Sequence, residues 1–332
     1  LALVRARGEV TTAHFRRFSS LALFAYVVLG VSGLISASLR VGELANWFTA
    51  YGLLIVLKAA IFVVLGIFGA IYRKRLLLAG SSFLRLVGVE LLLMAVAMGL
   101  ATALSRTAPP INAVDLVGST PAELLTGSKL PPEFNAVTFL TEWKPDLIWA
   151  FVSLGGIFVY LSGVRRLRAR GDAWPIGRTV SWVAGMLLLL FVTNGSLNAY
   201  QEYLFSAHMI GHMMLAMGVP LLLVPGAPIT LLSRAVEKRE DNSRGVREWA
   251  LWAVHTKYAQ IIANPIVAAI LFASSLVVFY FTPLFAWSTR EHVGHEWMVV
   301  HFLITGYLFA QALIGVDPGP VRLSYPLRIM LL

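Results

Sequence analysis

Two imidazoles and four thioethers fall within twelve consecutive residues, Ser206 to Met217. His208 and His212 are four apart, so a helix stacks them on one face. Met209, Met213 and Met217 repeat the same step one residue round. Nitrogen and thioether sulfur together suit copper, and thioether suits the cuprous ion in particular. The spacing is not that of a zincin, because His208-Met209-Ile210-Gly211-His212 has no Glu after its first His. His295-Glu296 fails the same test, with no His three residues after the Glu. The 332 residues include no cysteine, which excludes disulfides, thiolate metal sites, iron–sulfur clusters and a redox dithiol. A metal here must be held by His, Met, Asp, Glu or backbone oxygen.

The elements that position these side chains follow from hydropathy. The chain is 58% hydrophobic and only 13% charged, against roughly a quarter charged in a soluble domain. Its apolar residues come in runs of about twenty, the length that crosses a bilayer as a helix. The fold expected is therefore all-α: a polytopic integral membrane helical bundle of about eight transmembrane helices. The runs cover roughly 19–39, 49–72, 83–104, 145–164, 177–193, 204–224, 266–286 and 295–315. Gly30 and Gly33 would let the first helix approach a neighbour closely. Three domains are expected: a membrane unit over 1–108, an outer-side linker over 109–143 broken by Pro109-Pro110, Pro121 and Pro131-Pro132, and a second membrane unit over 144–332. Trp249 and Trp252 suggest an amphipathic piece on the membrane surface.

The formal charge of +10 has a topological reading rather than a nucleic-acid one. With eight spans, 21 of the 27 lysines and arginines fall in loops on one side and 5 on the other, Lys58 lying within a span. Both ends are then expected in the cytoplasm, and the 105–144 stretch outside. The chain starts at Leu1 and stops inside an apolar segment, so an internal piece of a longer protein is expected.

This topology brings the histidines together. The sixth span enters from outside with His208, and His212 lies about one turn deeper. The eighth also enters from outside, with His292 and His295 at its mouth and His301 about 9 Å further in. Ionisable groups inside spans tend to be functional. The metal candidates are thus His208, His212, Met209, Met213, His301 and His295. Lys58 and Glu90, in the second and third spans, form a possible intramembrane charge pair. His14 and His255 fall on the cytoplasmic side and receive no role.

Two resemblances cover nearly the whole chain. From about Arg17 to Pro110 it resembles the copper resistance D (CopD) membrane domain. The match rests on Arg17-Phe18-Ser19-Ser20-Leu21-Ala22, Val31-Ser32-Gly33, Tyr51-Gly52-Leu53-Leu54 leading to Lys58, and the Glu90 helix ending at Pro109-Pro110. Leu53 stands where that family often has an arginine. From about Trp143 to the end it resembles the CtaG-type cytochrome c oxidase assembly factor. The residues are Gly163-Val164-Arg165-Arg166-Leu167-Arg168, Phe205-Ser206-Ala207-His208-Met209 with His212, Pro225-Gly226-Ala227-Pro228, His301, Gly306 and Asp317-Pro318. Such fusions occur in bacteria.

The resemblance implies copper handling at the outer face of a bacterial plasma membrane and a role in maturing the oxidase copper centre. His208, Met209, His212 and His301 match that family's positions, whereas His292 and His295 come from topology alone. The partners expected are cytochrome c oxidase or its copper-site subunit, copper donors outside the membrane, and the lipid bilayer, with no nucleic acid. No redox or hydrolytic chemistry is implied, so the protein is not expected to be an enzyme. Two alternatives stand beside copper. One is haem, held between His208 or His212 and a partner such as His301. The other is a structural subunit that docks on the oxidase, its histidines serving as polar glue between helices.

Overall fold

The computed structural model describes residues 11–42, 44–75, 83–107, 120–126, 129–238, 245–317, 326 and 328. They form helices and connecting turns, with no strand among them. Six helices are long and apolar enough to cross a bilayer, and a bent pair makes a seventh. The third expected span, 83–104, corresponds to a helix of 24 residues at Phe83–Arg106, of which Leu91–Arg106 is the described apolar stretch. The protein is a helical membrane bundle that divides into two units, at Ser119 and Thr120.

The first unit contains α1 (Thr11–Val41), α2 (Ala50–Arg75) and α3 (Phe83–Arg106). Tyr26 fastens α1 to α2: its ring stacks on Phe62 at 4.1 Å and its hydroxyl donates to the Phe62 carbonyl at 2.9 Å. Gly30 lies beside the Phe62 ring, as a close-approach position should, whereas nothing crowds Gly33. Leu21, Phe24, Leu29 and Leu34 are exposed, which for a membrane helix is a face suited to lipid. Lys58 is exposed, and the Glu90 side chain lies outside the described residues, so the expected pair between them has no described geometry.

The second unit carries the candidate site. Its main helices are α4 (Leu147–Ala169), α5 (Ile176–Asn194), the short α6 (Ser196–Tyr200), α7 (Phe205–Met213), α8 (Val219–Leu223), α9 (Pro228–Ala235), α10 (Val246–His255), α11 (Pro265–Phe281), α12 (Pro283–Arg290) and α13 (His292–Ile314). Residues 129–143, expected within a linker, pack onto this unit. Tyr200 donates to the Pro132 carbonyl at 2.7 Å, and the Phe139 ring sits edge-on to Phe191. Asn194 and Asn198 bind the backbone of Asp146 and Lys144.

Two prolines shape the surroundings of the histidines. Pro220 has no N–H and cannot serve the carbonyl four residues back, Ala216. The chain widens there into a π-turn over Met214–Gly218, closed by the Val219 N–H on the Met214 carbonyl. Such turns occur often at functional sites. Gly306 of α13 packs onto this turn so closely that a Cβ would collide with the Ala216 carbonyl. Pro283 disfavours helical geometry at Thr282, which is extended (φ −123°, ψ 171°). The seventh apolar run, expected as one span over 266–286, is therefore broken. α11 and α12 meet at 74°, and Thr282 caps α12 through the Leu284 N–H.

Asp317, past the end of α13, is buried, and its carboxylate fixes the start of α9. It accepts from Ile229 N at 3.1 Å, Thr230 N at 2.9 Å and Thr230 Oγ1 at 2.6 Å. An anion at a helix N-terminus is favourably placed.

Candidate metal centre

α7 delivers His208 and His212 to the interior of the second unit, where they are 4% and 1% exposed. Neither faces lipid. Their ring centroids are 4.1 Å apart, as the four-residue step requires. Around them lies an aromatic wall. Phe285 of α12 stands edge-on to His208 at 5.4 Å, and Phe205 stacks beside it at 6.3 Å. Phe302 of α13 and Phe279 of α11 meet His212 at 4.7 and 5.5 Å.

A tyrosine ties the histidine pair to α11. Tyr280, the penultimate residue of α11, donates its hydroxyl proton to the Met209 sulfur at 3.1 Å. The same oxygen lies 2.9 Å from His212 Nδ1. The hydroxyl thus sits between a weak thioether acceptor and an imidazole nitrogen, and the Nδ1-protonated tautomer of His212 would donate to it. Both His208 Nε2 and His212 Nε2 are buried with no hydrogen-bond partner. Leaving one such atom unsatisfied costs about 1–3 kcal/mol, and a water or an ion seated beside them would relieve it. A cuprous ion suits neutral nitrogen and sulfur donors, and the Nδ1-protonated tautomer would present the His212 Nε2 lone pair to one.

Beside His212 is a cavity of about 10 Å³, room for about one water. His295 and Gln201 line it with Asn198, Thr193 and Gly211. Gln201 Nε2 lies 3.5 Å from His295 Nε2 and also bonds the Asn198 side chain. His295, placed by topology alone, is thus brought to the same cavity as His212. His301 goes elsewhere. Its ring stacks on Trp297 at 4.8 Å and reaches Phe302 at 5.6 Å, so a benzene ring stands in the chain of contacts between it and His212. Met209 is near the pair but engaged by Tyr280, while Met213 is half-buried on the same helix. Met298 is buried in the core between α13 and its neighbours. His292 is exposed, 3.8 Å from Glu296, which also accepts from the Trp149 indole at 2.8 Å.

Among the described residues no three His, Asp or Glu side chains converge as a metal cage. A water-sized cavity and a 4.1 Å ring separation also give a porphyrin no space beside His212, so the haem alternative has no geometric support. Sequence reasoning missed Tyr280 and Gln201. Tyr280 had a signal, a phenol just before the Thr282-Pro283 break. Gln201 had none beyond its polarity in a segment between two spans.

Comparison with known proteins agrees with this division of the chain. No solved structure matches it. An uncharacterized protein of Mycobacterium bovis is 41% identical over 211 residues, 63% of this chain and 32% of that protein. One from Mycobacterium leprae is 43% identical over 212 residues, with the same shares. The chain thus spans about a third of the length of the curated relatives it matches. Residues 12–104 match the family model of copper resistance protein D, as the residues around Tyr51 and Lys58 led us to expect. Residues 158–332, just over half of the chain, carry the buried histidines and match a second model. By that match the chain belongs to the family of cytochrome c oxidase caa3 assembly factors, fused here to a copper resistance protein D segment.

Proposed function

We propose that this protein takes up and passes on copper at the outer face of a bacterial plasma membrane, for the copper centre of cytochrome c oxidase. Copper is cargo in this reading, and the protein is not an enzyme. The observation that carries it is the pair of buried, unpartnered Nε2 atoms on His208 and His212. Two neutral imidazoles hold a cuprous ion without a closed cage, so a thiolate or thioether on a partner can displace them by ligand exchange. Met209, Met213, His295 and His301 are the further ligand candidates, with His295 favoured by its cavity beside His212. The partners are copper donors outside the membrane and the copper-site subunit of the oxidase. The loop charges support an orientation with both ends of this chain in the cytoplasm.

The test is copper analysis of the purified chain. Wild type should retain cuprous ion, and His208→Ala and His212→Ala should each lose most of it while eluting as folded protein. Unchanged copper in the double variant would remove the site. Co-purification with the oxidase that survives these substitutions would instead favour a docking subunit.

A further inference from the structure

At the end of α4 opposite the histidines, a cavity of about 420 Å³ opens against α5, lined by Leu161, Val164, Arg165, Arg168, Ala169 and Thr179. Arg165 and Arg168 are three apart and share one helix face. Each has an aliphatic residue one turn toward the membrane interior, Leu161 below Arg165 and Val164 below Arg168. Like charges at this spacing repel one another unless an anion lies between them. The neighbouring arginines are provided for: Arg170 pairs with Glu237 at 3.3 Å and Asp172 at 3.7 Å, and Arg234 lies 3.9 Å from Asp172. Arg178 lies over the Trp174 ring at 5.1 Å. Among the described residues no carboxylate pairs with Arg165 or Arg168.

Depth decides what anion belongs there. Arg165 is sixteen residues beyond Trp149, about 24 Å along the helix. Trp149 is the third residue of the candidate span Leu147–Ala169, so the arginine pair falls at the span's other end, near the headgroup layer of a bilayer whose hydrocarbon is about 30 Å thick. We propose that this groove is a binding site for an anionic phospholipid. Arg165 and Arg168 grip the phosphate, and an acyl chain runs along the exposed Leu161. Guanidinium forks match phosphate oxygens in pairs, and basic pockets between spans are a known way of holding lipid headgroups. The site is independent of the copper reading.

The experiment is native mass spectrometry of the full chain purified in mild detergent, with add-back of phosphatidylglycerol, phosphatidylcholine or inorganic phosphate and Tm as a second readout. Wild type should retain phosphatidylglycerol over phosphatidylcholine by on the order of tenfold, and phosphatidylglycerol alone should raise Tm. R165Q/R168Q should lose that preference with an unchanged lipid-free Tm, whereas R166Q, on another face, should keep it. Should the glutamine pair misfold, R165K/R168K replaces it and should keep a reduced preference, having charge without the fork. Equal retention of the two lipids by wild type would overturn the proposal. So would a preference that survives R165Q/R168Q, an equal loss in R166Q, or a Tm rise with inorganic phosphate as large as with lipid.

Discussion

Tyr280 does two things with one hydroxyl. It donates to the Met209 sulfur and lies 2.9 Å from His212 Nδ1, tying both side chains of α7 to α11. Partners of this kind orient a ligand, and their loss typically costs 10–100-fold in metal affinity. Tyr280→Phe keeps the ring and removes the link. Copper affinity, read by competition with a cuprous chelator, should fall about tenfold or more, with Tm little changed. Affinity equal to wild type would mean that the imidazole is held by its aromatic wall alone. At this scale the sequence disclosed the candidate residues but not their bonding. His208 and His212 stand out because histidines four apart inside an apolar run are uncommon and carry a physical meaning. Tyr280 lies 68 residues from His212, and only packing joins them.

Among elements, the π-turn and its contact with α13 set the geometry. Pro220 frees the Ala216 carbonyl, and Gly306 lets α13 come onto it. α13 also carries Phe302 against His212 and His295 to the cavity. Gly306→Ala forces the two helices apart. Overpacking of this sort costs about 1–3 kcal/mol. It should lower Tm and, by withdrawing α13, lower copper retention as well. A variant with wild-type Tm would show that the turn yields without resistance. Hydropathy located these spans well, because a bilayer demands long apolar runs whatever their neighbours. Their breaks were less legible. Pro283 after Thr282 does announce a bend, yet the apolar run continues across it and masks the signal. Pro220 sits in mid-run, where membrane helices tolerate proline, so the widening could not be told from a kink.

For the molecule as a whole, the proposed orientation rests on charge asymmetry, and the absence of cysteine from this sequence makes it easy to test. Lys129→Cys and Arg170→Cys, made singly, give one thiol each. An impermeant maleimide added to intact cells should label position 129 and spare 170 until the membrane is opened. The reverse pattern would invert the bundle and put the histidines at the inner surface. The stretch over 109–143 reads in sequence as a proline-rich connector, yet Pro132 and Phe139 within it are engaged by Tyr200 and Phe191.

Phe205 and Phe285 close over His208, leaving it 4% exposed. A chelator arriving from the medium therefore meets benzene before imidazole. If copper is the cargo, as proposed, its loss to such a chelator should be slow however weak the binding, and its delivery would require α12 to shift. The aromatic rings would then separate how tightly the ion is held from how soon it escapes.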